Sequence, residues 1–518
     1  MNKKMLYAVP ALTLMTVAAM AAKRQPNIIF VLTDDLGYGD VSAMDPNSKF
    51  NTVHIDKMAS EGVIYTDAHT SSSVSTPSRY SVLTGRYNWR STLKRYVFEG
   101  YDMPLITPDR QTVASMLKKQ GYTTAAIGKW HLGWEWANIS EGKENVDFSK
   151  PIKGGPTAIG FDYFYGIVAS LDFPPYVYVE NDMPLHMNGD SIQASPKPAM
   201  WRAGAIADGF SHMDMLPHTT DLACKYISEK AQGDEPFYLY LPMPAPHTPI
   251  VPTEEFLGRS NVSVYGDFVL MVDAMMGQIF ETLEKSGIDD NTLVVFTSDN
   301  GCSPAANIPE MNEHDHYPNS IYRGMKADLF EGGHRVPCIV RWPAAVKPHK
   351  VDQTICLTDF YATFAAINNY KLADTEGEDS YNILSTLMSK KEVKPIREAT
   401  VHHSIDGRFT IRKGEWKLLA APDSGGWSDP RPKQYDPKEL NLPDVQLYHL
   451  GDDISEQNNL IYEYPEVAKE LYSLLIKYIE DGRSTPGAVQ KNDPVKSNWY
   501  QLNDLMKVDI DAVVANRK

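Results

Sequence analysis

Cysteine is scarce in this sequence, which has only four in 518 residues: Cys224, Cys302, Cys338 and Cys356. No two of them form a C-x-x-C pair, and four are too few for a disulfide framework in so long a chain. A small disulfide-rich scaffold is therefore excluded. We expect buried thiols, with a disulfide bridge as the alternative.

Positive charge is also in deficit. The chain has 50 Lys and Arg residues against 66 Asp and Glu residues, a formal net charge of −16. Such an acidic chain is a poor candidate for nonspecific nucleic-acid binding, although a pocket can be locally positive and accept an anionic substrate.

No repeat of fixed period is present. Hydrophobic residues make up 42% and charged residues 22%, as in globular proteins, and the length indicates two domains.

The sequence lacks an apolar run long enough to span a membrane. The run near the N-terminus follows two lysines, ends in small residues at 18–22 and is closed by Lys23 and Arg24. It is shorter than the ~20 residues that a membrane-spanning helix needs. Its order predicts a signal peptide over residues 1–21. Because the first cysteine is Cys224, no lipid-modified N-terminus is expected. We expect an exported, soluble, periplasmic protein.

Long buried strands and helices alternate along the first part of the chain. Two runs without polar alternation, 27–35 and 292–301, indicate parallel strands covered on both faces. Helix-like segments are at 112–122, 220–231 and 265–288, and strand-like segments follow two of them at 123–133 and 236–249. This order predicts an α/β fold with a doubly wound sheet and a ligand site at the carboxyl ends of its strands.

The pattern changes near residue 390. Segment 399–422 alternates β-branched residues with turns at Asp406-Gly407 and Lys413-Gly414, which predicts antiparallel hairpins. A long helix is expected at 465–482. We therefore expect a main domain over 22–390 and a smaller C-terminal α+β subdomain over 391–518.

Polar side chains end both buried strands. Asp34 and Asp35 end the first, and Asp299 and Asn300 end the later one. Either pair alone is more typical of a turn after a strand. Four oxygen ligands at adjacent strand ends predict one hard cation, Ca²⁺ or alternatively Mg²⁺.

A signature around Ser75 identifies a family. The stretch SSSVSTPSRYSVLTGRYNWR, 71–90, has no helical or strand periodicity. Its Ser75-Thr76-Pro77-Ser78-Arg79 and Leu83-Thr84-Gly85-Arg86 resemble the signature of type I sulfatases, which depend on formylglycine. Six other blocks resemble that family in order: 33–40, 128–133, 246–249, 298–301, 323–337 and 447–460. The resemblance covers nearly the whole mature chain. It implies an alkaline-phosphatase-like mixed sheet and hydrolysis of sulfate esters.

The resemblance implies that Ser75 is oxidised to formylglycine (3-oxoalanine). Other members of the family have cysteine at this position. The serine makes this chain resemble the bacterial sulfatases that are matured by an anaerobic sulfatase-maturating enzyme, which acts before export. One hydroxyl of the hydrated aldehyde attacks sulfur and expels the alcohol. The second then loses its proton, sulfate is eliminated and the aldehyde returns. An unmodified serine sulfate could not break down in this way.

The resemblance also implies the remaining catalytic roles. Lys129 and Lys326 would bind the sulfate oxygens, where charge builds up in the transition state. Arg79 would orient the diol, His131 would act as the base for elimination, and His247 would protonate the leaving alcohol.

The aromatic-rich segment 161–182 is the candidate for sugar recognition. Its Asp172 carboxylate needs a partner among apolar residues, and sugar hydroxyls would suit it. His212 is a second, weaker candidate. Plain core packing is the alternative for the aromatic residues. We expect a sulfated carbohydrate, with galactose or N-acetylgalactosamine sulfate as the specific hypothesis.

Two other functions compete with this prediction. A phosphatase or phosphodiesterase of the alkaline phosphatase superfamily would use an unmodified Ser or Thr beside two transition metals, with further His and Asp ligands. A catalytically silent glycan-binding protein is the third hypothesis. Metal analysis distinguishes the sulfatase from the phosphatase, because one calcium per chain favours the sulfatase and two zincs favour the phosphatase.

Overall fold

The computed structural model describes residues 25–389, 391, 394–434, 436–437, 439–495 and 498–515. The signal peptide expected over 1–21 lies outside these residues. Within them, no helix combines the length and apolarity that crossing a membrane requires.

The elements are numbered in chain order. The strands are β1 (Asn27–Asp34), β2 (Val63–Tyr65), β3 (Ala68–His69), β4 (Thr123–Lys129), β5 (Tyr163–Ile167), β6 (Val179–Glu180), β7 (Met183–Pro184), β8 (Ser191–Ile192), β9 (Gly204–Ala205), β10 (Phe237–Pro246), β11 (Thr292–Ser298), β12 (Cys338–Arg341), β13 (His349–Val351), β14 (Ile355–Cys356), β15 (Thr400–His403), β16 (Phe409–Lys413), β17 (Trp416–Leu419) and β18 (Gln446–His449). The helices are α1 (Val53–Glu61), α2 (Ser75–Thr84), α3 (Val113–Lys119), α4 (Met215–Lys230), α5 (Val264–Lys285), α6 (Ile308–Glu313), α7 (Glu331–His334), α8 (Asp359–Ile367), α9 (Leu384–Met388), α10 (Pro465–Glu480), α11 (Tyr500–Lys507) and α12 (Ile510–Ala515).

A mixed sheet of ten strands forms the centre of the molecule, in the order β13-β2-β12-β11-β1-β10-β4-β5-β6-β7. Strand β1 is parallel to both neighbours, so that Phe30 pairs with Val295 of β11 and with Tyr240 of β10. All of β1 after its first residue is buried. This burial on both faces explains why its sequence has no polar alternation.

Helices cover both faces of the sheet. Phe30 of β1 faces a layer that contains α2, α3 and α8, including Phe360 and Phe364. Its neighbour Val31 faces the layer of α1, α4 and α5, including Val272. The doubly wound arrangement expected from the sequence is therefore confirmed.

The C-terminal part contains a separate antiparallel sheet, β15-β16-β17-β18. Its first three strands are the expected hairpins, and α10 packs on them through Leu471 and Leu475. The hairpins and the helix are confirmed, whereas the domain boundary near residue 390 stays a prediction.

The four cysteines are free thiols. Cys224 is partly buried and the other three are buried, so the thiol interpretation is confirmed and the disulfide alternative is not.

The fold brings four strand ends to one edge of the sheet. Strands β1, β4, β10 and β11 are parallel and adjacent. Their last or following residues are Asp34, Lys129, His247 and Asp299. Polar side chains from distant parts of the sequence therefore meet where a doubly wound sheet places its ligand site.

Candidate active site

Ser75 is the first residue of helix α2, which is buried on every side. Its hydroxyl is 3.2 Å from Asp34 Oδ1 and 3.3 Å from Lys129 Nζ. Total burial explains why the stretch has no amphipathic period. The helix ends at Gly85, whose φ of 64° lies in the left-handed region that favours glycine.

The four expected oxygen ligands lie together at the ends of β1 and β11. The backbone N–H of Asp35 donates to Asp299 Oδ1 at 3.1 Å, and Asn300 Nδ2 donates to Asp35 Oδ1 at 2.7 Å. Asp35 has a left-handed φ of 65°, which turns the chain sharply after β1. All four side chains are at most 2% exposed.

Three cations face the three carboxylates. Lys129 Nζ lies 2.6 Å from Asp34 Oδ2, and Arg79 Nη2 lies 2.8 Å from Asp299 Oδ2. Lys326 Nζ lies 2.7 and 2.9 Å from the two oxygens of Asp35. The fixed charges therefore balance.

Burial and these ion pairs shift the pKa values in opposite directions. Burial alone would raise the pKa of Asp34, but Lys129, His247 and Arg79 together lower it below its ordinary value. Burial lowers the pKa of Lys129 despite the attraction of Asp34. For Lys326 burial alone would lower the pKa, but the attraction of Asp35, Asp34 and Asp299 together raises it. Lys326 is therefore the more firmly charged of the two lysines.

The donor set fits a hard divalent cation. Asn300 Oδ1 is buried and has no hydrogen-bond partner among the described residues. Leaving such an acceptor unpaired costs about 1–3 kcal/mol, and a cation ligated by this oxygen removes that penalty. Three carboxylates and an amide oxygen suit Ca²⁺ or Mg²⁺.

Two histidines approach the same centre. His131 follows β4, and its Nε2 is 2.8 Å from the carbonyl oxygen of Phe98, while its Nδ1 has no partner among the described residues. Burial, with Lys129 and Arg79, holds the pKa of His131 well below its usual range. His247 is partly exposed, and its Nε2 lies 3.6 Å from Asp35 Oδ2.

The structure adds Ser170 to the residues found from the sequence. Ser170 Oγ lies 3.2 Å from Lys129 Nζ and 3.2 Å from His247 Nδ1, and so bridges them. One weak signal could have found Ser170, since it lies two residues before Asp172 in the aromatic-rich segment.

Asp172 lies at the wall of the site, buried except for 3% of its surface. Its Oδ2 is paired with Arg202, whose guanidinium group lies 3.9 Å from the ring centre of Phe173. Its Oδ1 is buried and has no partner among the described residues. Burial alone would raise the pKa of Asp172, but His247 and Arg202 lower it. The carboxylate is ionised, with one oxygen left for a further donor.

His212 is packed away from these groups. Its ring stacks on Trp201 at 4.4 Å and 12°, and it meets Tyr176 edge-on at 4.5 Å. Burial lowers the pKa of His212 to about 4, although the charge of Asp172 opposes this. His212 is not among the side chains that line the cavity described next.

A cavity of about 370 Å³ opens above Ser75. Of the expected site residues it is lined by Ser75, His131, Asp172, His247 and Lys326. The side chains that sequence reasoning missed are mostly apolar and include Ile405 and Trp427 from the C-terminal part. Arg202 and Lys197 also line it.

Comparison with protein families and curated proteins gives consistent matches. Residues 26–370 match the family model Sulfatase. The N-acetylgalactosamine-6-O-sulfatase of Bacteroides thetaiotaomicron is 35% identical over an alignment of 490 residues, gaps included, that covers 87% of this chain and 93% of that protein. Human N-acetylgalactosamine-6-sulfatase is 29% identical, with 94% of this chain and 90% of that protein covered.

Solved structures agree with the fold. A structure from work on the metabolism of multiple glycosaminoglycans by Bacteroides thetaiotaomicron is 34% identical, with a TM-score of 0.77 over 88% of this chain and 99% of that one. The phosphonate monoester hydrolase of Agrobacterium radiobacter has a TM-score of 0.58 at 17% identity, over 88% of this chain and 95% of that one. That identity shows a shared fold alone and does not favour the phosphatase alternative.

Proposed function

We propose that this chain, which belongs to the sulfatase family and is a sulfuric ester hydrolase, removes a 6-O-sulfate from N-acetylgalactosamine or galactose in a glycan. In this proposal the nucleophile is a formylglycine derived from Ser75. The observation that carries the proposal is the meeting of Ser75, four oxygen ligands and two lysines beneath an open cavity. The names of the relatives support the choice of sugar.

Position 75 and the four oxygen ligands supply the nucleophile. Formylglycine at this position supplies it as a hydrated aldehyde, and Ser75 Oγ already lies against Asp34 and Lys129. A divalent cation, which we propose to be Ca²⁺, would be held by Asp34, Asp35, Asp299 and Asn300 and would supply Lewis-acid activation.

Lys129 and Lys326 bind the sulfate group in this proposal. Both ammonium groups lie at the cluster of carboxylates, and Lys326 also lines the cavity. Because three cations already balance three carboxylates, a bound divalent cation leaves the site with a local excess of positive charge. This excess favours the anionic sulfate ester and its transition state, although the whole chain is acidic.

The two histidines handle the protons in this proposal. His247 lines the cavity and is partly exposed, so it can protonate the leaving sugar oxygen. His131 is neutral because of its lowered pKa, and its unpaired Nδ1 can accept a proton during sulfate release. Arg79, fixed by Asp299, orients the modified side chain.

Sugar recognition is assigned to Asp172. Its unpaired Oδ1 accepts a hydrogen bond from a sugar hydroxyl, while Arg202 holds the other oxygen. His212 would act at most through Trp201 and Tyr176, because it does not line the cavity.

We further propose that the protein is exported to the periplasm after cleavage of its signal peptide and is modified by an anaerobic sulfatase-maturating enzyme. Mass spectrometry of protein from the native host tests both points. We expect an N-terminus near residue 22 and the loss of two hydrogens from Ser75. An intact N-terminus would contradict export, and an unmodified Ser75 in active enzyme would contradict the modification.

The activity test compares sulfated and phosphorylated substrates. Enzyme produced with the maturating enzyme is assayed for sulfate release from N-acetylgalactosamine 6-sulfate, galactose 6-sulfate and N-acetylgalactosamine 4-sulfate, and for phosphate release from an aryl phosphate. We expect preference for the 6-sulfates and complete loss in Ser75→Ala. Substantial turnover by Ser75→Ala would contradict the mechanism, and preference for the 4-sulfate would contradict the position.

A further inference from the structure

Two exposed cations lie at the rim of the cavity above Ser75. Lys197 and Arg202 line the cavity and are exposed. Lys326 also lines it but is only 6% exposed and is paired with Asp35. Lys326 therefore marks the floor of the cavity, where the sulfate is expected, and the other two cations mark its rim. The roles proposed above give Lys197 no function and use only part of Arg202.

One loop carries both rim cations. It connects β8 to β9, which pair as antiparallel strands. The backbone N–H of Ser195 donates to the carbonyl oxygen of Trp201 at 3.0 Å, which closes the loop, and the N–H of Ile250 donates to the carbonyl oxygen of Pro198 at 3.2 Å. Because Ile250 closely follows β10, the second bond fastens the loop beside the active site. The loop therefore has a defined position before a substrate binds.

The guanidinium group of Arg202 is oriented by its neighbours and has unused donors. Its Nη1 donates to Asp172 Oδ2 and, at 3.2 Å, to the carbonyl oxygen of Asp172, and the group lies over the ring of Phe173. Within the described part of the chain, its Nε and Nη2 have no acceptor. Half of the side chain is exposed. The edge formed by Nε and Nη2 is therefore free to bind an anion through two parallel hydrogen bonds.

Lys197 adds a positive charge that is not neutralised. Its ammonium group forms no ion pair with any residue that the structure describes, and it faces the cavity rim. Asp172 is the one carboxylate among the described residues that line the cavity, and Arg202 already neutralises it. The rim therefore has an excess of positive charge, although the formal net charge of the chain is −16. A concave surface with such an excess attracts anions.

We propose that Lys197 and Arg202 bind a second anionic group, carried by the sugar next to the sulfated one. The sulfate would lie near Lys326 on the floor, so a group that reaches the rim belongs to the part of the glycan that leaves the cavity. The carboxylate of a uronic acid and a sulfate on the neighbouring sugar share the required chemistry, because each can accept both donors of Arg202. This subsite rests on the proposed function and extends it from one sugar to an acidic segment of a glycan.

The test compares disaccharides that differ in one charge. The sugar sulfate that the wild type cleaves fastest among the monosaccharides of the activity test is linked, in either order, to glucuronic acid or to glucose, which lacks the carboxylate. In one linkage order we expect an approximately tenfold higher kcat/KM on the acidic disaccharide, mainly through KM, as one charge-assisted hydrogen bond provides. Equal kcat/KM on the two disaccharides in both orders overturns the proposal.

A third disaccharide, with a sulfate on the neighbouring glucose, identifies the source of the anionic group. Whichever acidic neighbour gives the higher kcat/KM is the group that the subsite binds. The design also separates this proposal from the proposed function. An error in the assigned sugar or sulfate position changes which monosaccharide is cleaved fastest, whereas an error in the subsite leaves that result intact and removes the preference between the disaccharides.

Variants of the loop assign the preference to its two cations. In Lys197→Glu the preference for the acidic disaccharide should disappear or reverse, and Lys197→Arg should retain it. Arg202→Lys keeps a cation beside Asp172 but loses the paired donors, so it should lower the preference. An unchanged preference in Lys197→Glu or in Arg202→Lys overturns the proposal.

Lys150→Glu is the matched control. Lys150 is also exposed but does not line the cavity, and the substitution makes the same change in net charge as Lys197→Glu. We expect Lys150→Glu to keep the wild-type preference. Equal losses of preference in Lys150→Glu and Lys197→Glu would show an effect of net charge alone and would overturn the subsite.

Discussion

At the scale of single residues, the two oxygens of Asp172 have different surroundings. Oδ2 is neutralised by Arg202, which in turn stacks on Phe173, while Oδ1 faces no donor from the described residues. The pair is thus held in place before any ligand arrives. Such preorganisation lowers the cost of ordering a binding group.

Asp172→Asn should therefore impair sugar recognition more than sulfate chemistry. Losing one charge-assisted hydrogen bond costs about 1.5–3 kcal/mol, which is roughly ten- to a hundredfold in kcat/KM on the sugar sulfate. A small aryl sulfate has no sugar hydroxyl, so its kcat/KM should change little. Asp182→Asn, at an exposed residue of the same aromatic-rich segment, is the control. Equal losses on both substrates would place Asp172 in catalysis or folding.

His212 should make stability depend on pH. Its pKa in the folded protein is about 4, below the ~6.5 of an unfolded histidine. The folded state therefore loses stability as the pH falls from about 6.5 towards 4, because the unfolded chain takes up the proton first. Between pH 7 and pH 5 we expect a loss on the order of 2 kcal/mol from this residue.

Urea unfolding of the wild type and His212→Phe at the two pH values measures this loss. Phenylalanine keeps a ring against Trp201 but cannot be protonated, so the variant should lack that part of the pH dependence. Identical pH dependence in the two proteins would show that His212 does not titrate as its burial indicates.

At the scale of elements, the stability of helix α2 depends on Gly85, the residue at which the helix ends. A Cβ added at Gly85 would lie 2.8 Å from Tyr361 Cβ, and its φ of 64° is unfavourable for other residues. Gly85→Ala should cost about 1–2 kcal/mol from the backbone and about 1–3 kcal/mol more from overpacking. Gly121→Ala provides the control, since Gly121 also has positive φ but has open space around it.

Urea unfolding should therefore rank Gly85→Ala as clearly less stable than Gly121→Ala. The first variant should also lose sulfatase activity, because α2 carries Ser75 at its other end. If the two variants had the same free energy of unfolding, the close contact with Tyr361 would not contribute to the loss of stability.

Elements with a strong local pattern could be predicted, and the others could not. Strands β1, β10 and β11 are continuous apolar runs, and α5 and α10 are long and regular. Helix α2 could not be predicted, because all its faces are buried and no polar face reveals the helical period. The two-residue strands β6 to β9 are set by their neighbours and have no signal of their own.

The same distinction holds for the active site. Asp34 and Asp299 could be paired from sequence because both follow buried parallel strands. Trp427 could not be foreseen at the cavity, because its loop is held by Asp328, whose carboxylate accepts from the Trp427 backbone at 2.6 Å. The buried cluster of His69, His334 and His402 could not be foreseen either, because its members come from three distant segments of the chain.

At the scale of the whole molecule, the acidic chain carries a site whose fixed charges already balance. Each of Asp34, Asp35 and Asp299 has its own cation within hydrogen-bond distance. The carboxylates therefore do not need a metal ion to avoid repelling one another. Folding and metal binding should be separable at this edge of the sheet.

A calcium-selective chelator should thus abolish activity without unfolding the protein. We expect kcat/KM to fall about 100-fold or more, because several kcal/mol of transition-state stabilisation are lost. The far-UV circular dichroism should be unchanged, and Ca²⁺ alone should restore turnover. Restoration by Zn²⁺ but not by Ca²⁺ would contradict the proposed oxygen-ligated site.

The burial of Ser75 limits the time at which this residue can be modified during synthesis of the protein. Only 1% of Ser75 is exposed, at the start of a helix whose residues are all buried. The proposed maturating enzyme must therefore reach Ser75 before α2 packs against the rest of the protein. If Ser75 is modified as proposed, the fraction of molecules with formylglycine then depends on whether modification or folding is faster, and this fraction is fixed once the protein has folded. A variant that folds more slowly should emerge more completely matured.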